Sequence, residues 1–398
     1  MRWDLYLIAT VHSGPLDRQD TIVSAPIDFN SLLWHAGYEV PFGYWSLKVE
    51  EVRDDDAILR EVPHQWDWEE KRLYWFVPGK TSAYSKRRFK ISFSSDPGPK
   101  PRKNNLTGRI VLTDMGSEVL FSRNTDELCR YRYRNVFKPF FFPVYGPDGN
   151  VVRDIVYDEE GHHFHHGIWV GYGSMDQNST NLWCESDKIS PRRGPTGRMV
   201  HESFEKFSFG WVYGVFRQRL AYQKPDGFVF AREWRTVRVS VPNPDSLILD
   251  FEIKLQEPQD TGPRNTMFSC RVAPSMRVVD ASQGWNKKKP MNNPGRIDKG
   301  RAWADYSGPV GQGWNGVALF DHPDNPDFPQ PIIARDYGLM NIERTYPADD
   351  IYRGSVVTYK YRAFVHNGNA EEAKVEEVWQ DYAYPCLVEV GELRKHRK

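Results

Sequence analysis

Several signatures of common chemistry are missing from this chain. It has no Gly-rich phosphate loop, no His-Glu-x-x-His helix and no Gly-x-Ser-x-Gly elbow, which excludes ATP hydrolysis, zinc-helix proteolysis and serine hydrolase chemistry. Nothing approaches the roughly 18 consecutive apolar residues of a membrane span, so no membrane partner is expected. The opening MRWDLYLIATVHSG holds only a short apolar patch broken by Asp4. The reading is of a soluble chain, cytoplasmic in preference to secreted, with a removed leader left open. Net charge is also absent, because 53 basic residues balance 53 acidic ones. Without a global field, a nucleic-acid partner is not expected. Cysteine is scarce, and Cys129, Cys184, Cys270 and Cys386 show neither metal-ligand spacing nor disulfide density. They read as buried free thiols.

What the chain does have is length and aromatic content. Its 398 residues suffice for one large β domain or two smaller ones, and it carries 14 Trp, 20 Tyr and 22 Phe. Aromatics suit strands and also suit platforms for sugar rings. Period-two alternation recurs while helical periodicity is nearly absent. In Leu247, Leu249, Phe251, Ile253 and Leu255 the apolar residues share one face, opposite Asp250, Glu252 and Lys254. Similar strands are expected within 205–222, 228–241, 316–320 and 355–366, separated by turn clusters such as PNPDS and DHPDNPDFP. Many strands joined by such turns predict an all-β fold, a large antiparallel β-sandwich. One helix is expected near the C-terminus, capped by Asn369, carrying Val375, Val378, Trp379 and Tyr382 and packing on a sheet edge. A Pro- and Ser-rich stretch at 94–105 reads as a linker between an N-terminal β region, 1–95, and a main sandwich domain, 106–390.

The most informative stretch is 138–175, where four histidines (His162, His163, His165, His166) fall within five positions before an apolar run. If extended, alternation puts His163 and His165 on one side and His162, Phe164 and His166 on the other. The stretch also carries Lys138, Pro139, Pro143, Gly149, Gly167, Ile168 and Trp169. An Asn-Leu-Trp-x-Glu passage follows with Asn181, Trp183 and Glu185, then Cys-Arg-Val with Arg271 and Ala-Trp-Ala-Asp-Tyr with Trp303, Asp305 and Tyr306. HPDNP (His322, Asn325), RDYGL (Arg335, Tyr337) and YRAFVHNG (Tyr361, Arg362, His366) complete the series. On these motifs, in order over about 106–390, the chain resembles the uncharacterised family labelled methane oxygenase PmoA. His163 stands where a proline is usual and Gly161 where an acid is common, and the first ninety-five residues match only loosely, at VPGK and RRFK. The resemblance implies a β-sandwich, with the galactose-mutarotase supersandwich as one form of it, and brings no established activity. Methane oxidation of the particulate kind is membrane chemistry, which the absence of a spanning segment argues against.

An imidazole with an ordinary pKa near 6.5 moves protons at neutral pH, so His165 or His162 is a candidate general base or acid. Glu185 or Asp305 is the candidate partner carboxylate, and Arg271, Arg335 and Arg362 are candidates for binding a substrate carboxylate. Trp169, Trp183 and Tyr337 complete the candidate binding set. Each has a plainer reading: surface histidines for His162 and His166, a satisfied core histidine for His165, a solvated carboxylate for Glu185, a core ion pair for Arg271 and packing for the tryptophans. The expected function is a carbohydrate-active enzyme cleaving a glycan or sugar derivative by hydrolysis or β-elimination. A non-catalytic glycan-binding protein and a soluble metal-dependent oxidase are the alternatives. No cofactor is required by the sequence and no metal ligands are assigned, although a His-bound divalent ion fits the oxidase alternative. Oligomeric state has no signal in the sequence.

Overall fold

The computed structural model describes residues 5–39, 41–94, 108–154, 163–174, 180–185, 194–256, 264–277, 279–280, 284–285, 297–298, 301–346 and 354–395. His162 and most of the expected linker at 94–105 lie outside the described residues. The chain forms two compact units.

The larger unit comprises Ile110–Phe209 and Gly214–Val375 and is a large antiparallel β-sandwich. Its ten-stranded sheet runs Ile297–Asp298, Ile332–Ala334, Leu339–Tyr346, Arg264–Arg271, Ile168–Ser174, Phe140–Gly146, Asp126–Arg132, Glu118–Arg123, Ile110–Asp114. Gly149–Asn150 pairs with Phe140–Gly146 as the tenth. The seven-stranded sheet runs Arg198–Ser208, Tyr213–Gln223, Val229–Ser240, Ser246–Gln256, Val356–Asn367, Gly313–Asp321, Trp303–Val310. One apolar cluster draws on both sheets. Leu247, Leu249, Phe251, Ile253 and Leu255 of one strand meet Ile168, Val170, Phe268, Cys270, Met340 and Ile342 of the other sheet. Period-two alternation is therefore what builds this core. The expected strand region 205–222 is divided, because Arg198–Ser208 and Tyr213–Gln223 are separate strands paired antiparallel.

A polar group crosses the middle of this core. Glu233 and Arg235, two residues apart on one face of a strand, are both fully buried. Arg235 donates to Glu233 through Nε at 2.6 Å and Nη2 at 3.0 Å, and through Nη1 to the Tyr131 hydroxyl at 3.1 Å. The Tyr222 hydroxyl donates to the same carboxylate. Buried charges require this kind of complete pairing.

The smaller unit comprises Met1–Arg109, Gly210–Tyr213 and Glu376–Lys398. Its six-stranded sheet contains Leu387–Val390, Leu5–His12, Lys86–Phe93, Lys48–Val52 and Ile58–Glu61, with Arg394–Lys395 also on Leu5–His12. A three-stranded sheet contains Arg18–Pro26, Arg72–Thr81 and His64–Asp67. A short helix, Phe29–His35, was not expected. It has only seven residues and is held by Asp28 accepting from the Ser31 N–H and by burial of Phe29 and Leu33.

The C-terminal helix spans Val375–Ala383 and so starts later than a cap at Asn369 implies. Asn369 instead closes the preceding turn, its Oδ1 accepting from the Glu371 and Glu372 amides while Glu372 accepts from the Asn369 amide. Lys374, at φ +54°, breaks the chain before the helix proper. Asp381 anchors the helix to Arg18 and to the Thr21 hydroxyl on an edge strand. All four cysteines are free, three of them buried. Among the described residues no helix is long and apolar enough to cross a membrane.

Candidate functional site

Alternation has a second product. Where Ile168, Val170 and Tyr172 enter the sandwich core, Trp169 and Gly171 face the other way. On the paired strands Ser269, Arg271, Leu339 and Asn341 do the same. This outward face has its own apolar cover: Phe140, Phe164, Trp169, Trp183, Cys184 and Leu339 pack together, flanked by Tyr337. Gly171 makes room for it, since a Cβ there would lie 2.5 Å from a ring carbon of Trp183.

The histidines reach this layer through a turn. Residues 163–164 form the turn, and Gly167, at φ +50°, starts the strand with its amide on the Arg153 carbonyl at 2.7 Å. A Cβ on Gly167 would lie 1.8 Å from the Phe141 carbonyl oxygen, so only glycine fits. The segment is not extended, and the alternation expected for it does not apply. His165 and His166 are both buried, at 2% and 1% exposure, and His163 is half-buried. The surface reading of His166 is thereby corrected.

His165 is enclosed by rings. Trp169 stacks on it at 5.5 Å between centroids, Tyr337 lies nearly parallel at 6.5 Å, and Trp183 and Phe164 meet it edge-on at 5.1 and 4.6 Å. Nη1 of Arg271 stands 3.5 Å from Nδ1 of His165, and the guanidinium lies 4.5 Å over the Tyr337 ring. The contact is long for a hydrogen bond, but its sense is fixed because a guanidinium can only donate. Arg271 is therefore the donor of this pair and Nδ1 of His165 its acceptor. Burial raises the Tyr337 phenol above its usual value against the opposing charges of Arg271 and Arg335, so its hydroxyl stays protonated at neutral pH.

Next to this cage lies an ion pair. Lys138, 1% exposed, donates to the carbonyls of Phe164 and Trp183 at 2.9 and 3.0 Å and to Glu185 Oε1 at 2.9 Å. His166 Nε2 reaches the same oxygen at 2.8 Å. Burial works to raise the Glu185 carboxyl, but Lys138 and the His166 hydrogen bond prevail and hold it at about 2. Burial, only partly opposed by Glu185, lowers His166 below its usual 6.5. The consistent assignment is an ionised Glu185 accepting from Lys138 and from the Nε2–H of a neutral imidazole.

Three expected site residues fare differently from the rest. Glu185 accepts from both Lys138 and His166 at Oε1 and is held ionised at neutral pH, which does not suit the proton-donating carboxyl of a glycosidase. Asp305 belongs to the seven-stranded sheet, where its Oδ1 lies 2.8 Å from Nε2 of His366, and it does not join His165. Arg362, on the same sheet, is committed to Asp250 by two bonds of 2.6 and 2.9 Å. Sequence alone cannot tell which sheet a strand will join. By contrast Trp169, Trp183, Arg271 and Tyr337 gather around His165, and Arg335 occupies the turn next to Tyr337. Lys138, His166, Ser269 and Asn341 were missed as site residues. The one available signal was Lys138, a lone cation amid Phe137, Phe140, Phe141 and Phe142, which must be paired if buried. Among the described residues no three His, Cys, Asp or Glu side chains are placed to hold a metal ion.

Comparison with known proteins adds a family and a fold likeness. Residues 118–380 match the model of a family described as of unknown function. No curated protein matches the chain. Among solved structures, an alpha-mannosidase from Enterococcus faecalis is similar over 100% of this chain and 47% of its own, at 9% identity and TM-score 0.47. A protein in glycosyl hydrolase family 38 from Enterococcus faecalis is similar over 98% of this chain and 47% of its own, with the same identity and TM-score. The chain thus spans about half the length of these structures.

Proposed function

This chain belongs to DUF6807, a family of unknown function, and on that premise we propose that its ringed histidine site acts on an acidic sugar or glycan by β-elimination. The observation that carries the reading is the His165 imidazole held between Trp169 and Tyr337 with Arg271 at its Nδ1. Aromatic faces suit a sugar ring, and guanidinium groups suit its carboxylate. In this reading Arg271, with Arg335, binds the substrate carboxylate and draws charge off the adjacent carbon. Nδ1 of His165, the ring nitrogen that faces Arg271, takes the proton from that carbon. The electron pair forms the new C=C bond as the C–O bond to the leaving group breaks, and the Tyr337 hydroxyl supplies the proton the leaving oxygen needs. No water is consumed. Hydrolysis by the usual route asks for two carboxyl groups facing the bond, about 5 to 9.5 Å apart. The ion-paired Glu185 and the distant-sheet Asp305 do not supply them, which favours elimination.

The test is mass spectrometry of neutral and acidic oligosaccharides after incubation with the protein and with His165→Ala and Tyr337→Phe. Unsaturated products without added water, lost in both variants, are expected. Products heavier by one water would replace elimination with hydrolysis. The enclosure of His165, 2% exposed, favours one rival, a glycan-binding protein without turnover. Saturable binding with every sugar recovered intact would establish that rival. The metal-dependent oxidase stands as a third reading, tested by metal content after growth in copper- and iron-replete medium. The resemblance to the family labelled PmoA is retained as a proposal about kinship, not about chemistry.

A further inference from the structure

A single cross-strand row runs beneath the His165 cage. Phe140 pairs with Trp169, Trp169 with Ser269, Ser269 with Asn341 and Asn341 with Ile333, so these five residues lie side by side on five adjacent strands. Cross-strand partners share a face, and neighbouring Cα atoms stand about 5 Å apart. The ends of the row are apolar and its middle is polar. Trp169, Ser269 and Asn341 are 1%, 0% and 4% exposed, yet Trp169 Nε1, Ser269 Oγ and Asn341 Oδ1 have no hydrogen-bond partner in the protein. Buried polar groups are nearly always paired, and three failures in one row call for an occupant outside the chain.

The chemistry of the row restricts that occupant. The indole N–H only donates, the amide oxygen only accepts, and the serine hydroxyl does either. A carboxylate or phosphate leaves the amide oxygen unmet, and an ammonium leaves the indole unmet. Hydroxyl groups meet both. Arg271 lies two residues beyond Ser269 on the same face and touches His165, so the row adjoins the reacting end of the site. We propose that Trp169, Ser269 and Asn341 form the floor of a subsite that receives two neighbouring hydroxyls of a sugar ring. This rests on the sugar-site reading above and deepens it: the arginine end takes the carboxylate, and the row takes the diol.

The experiment follows the tryptophan indole N–H signals of the ¹⁵N-labelled full chain by NMR, with Trp169 assigned through Trp169→Phe. The probes are D-glucuronate, D-galacturonate, D-glucose and D-mannose, with acetate as a carboxylate lacking hydroxyls. At least one sugar is expected to shift the Trp169 N–H, while acetate leaves it in place. Ser269→Ala and Asn341→Leu are expected to weaken that sugar roughly five- to tenfold, the scale of one lost hydrogen bond. If a sugar binds or is turned over while the Trp169 signal stays fixed and Ser269→Ala binds as before, internal water satisfies the row. The diol subsite is then wrong and the sugar reading survives. If no sugar binds or changes mass, both fall. The wild-type indole shift needs no variant, so a misfolded substitution leaves the question answerable.

Discussion

Lys138 and Glu185 form an ion pair in which the cation lies deeper than the anion, at 1% against 13% side-chain exposure. The lysine also ties down two backbone carbonyls, those of Phe164 and Trp183, that flank the His165 cage. It therefore joins the turn bearing the histidines to the segment bearing Trp183 and Glu185. Lys138→Met leaves a carboxylate half-compensated and two carbonyls unmet, and a loss of about 3–5 kcal/mol is expected by chemical denaturation. Removing Glu185 as well should cost less than the sum of the two single changes, which a double-mutant cycle measures directly.

The same pair sets an acid dependence. The Glu185 carboxyl, at about 2 in the folded chain against an ordinary 4.5, stabilises the fold fully above that ordinary value. The contribution is lost as pH falls toward 2 and is on the order of 3 kcal/mol. His166, held below 6.5 by burial, acts in the same direction, because the unfolded chain takes up its proton first. Stability should decline on acidification from about pH 6.5, and Glu185→Gln should flatten the part between pH 5 and 2. Urea midpoints measured across pH test this, and an unchanged profile in the variant would refute the assignment.

Glu233 and Arg235 offer an independent test of the sandwich core. Glu233→Gln strands a guanidinium that is fully buried and should cost about 3–5 kcal/mol. Replacing both with leucine and methionine should recover most of that loss. Thermal unfolding of the two variants beside the unaltered protein decides, and equal losses for the single and double variants would count against the pairing.

The two glycines of the site should differ. Gly171→Ala overpacks Trp183, a side chain able to shift, and a cost of about 1–3 kcal/mol with displaced tryptophan fluorescence is expected. Gly167→Ala meets the Phe141 backbone at a position of positive φ and should destabilise more. The reverse order in melting temperature would show that the turn after the histidines is laid out otherwise.

Much of the fold was legible because a half-buried strand writes its environment into every second residue. The Ser246–Gln256 strand is the clearest case, its five odd-numbered apolar residues all in the core. The short helix at Phe29–His35 was not legible, since two turns carry too little periodicity to register. The site was legible as residue types but not as an assembly. Nothing local says that Trp169, Arg271 and Tyr337 meet while Asp305 and Arg362 go to the other sheet. His165 and His166 could not be judged from alternation, because the turn at 163–164 removes the extended backbone on which alternation depends. Ser269 and Asn341 are ordinary strand residues until the register sets them beside Trp169.

The placement of late strands has a kinetic consequence. Val356–Asn367 lies between Ser246–Gln256 and Gly313–Asp321, and Leu387–Val390 pairs with Leu5–His12. During translation the seven-stranded sheet remains in two pieces until its bridging strand leaves the ribosome. Leu5–His12 pairs early with Lys86–Phe93 on one edge, but its other edge stays open until Leu387–Val390 is made. Such high contact order implies slow folding and a long interval with open strand edges, and so a chain whose yield depends on chaperones and expression temperature more than its finished stability suggests.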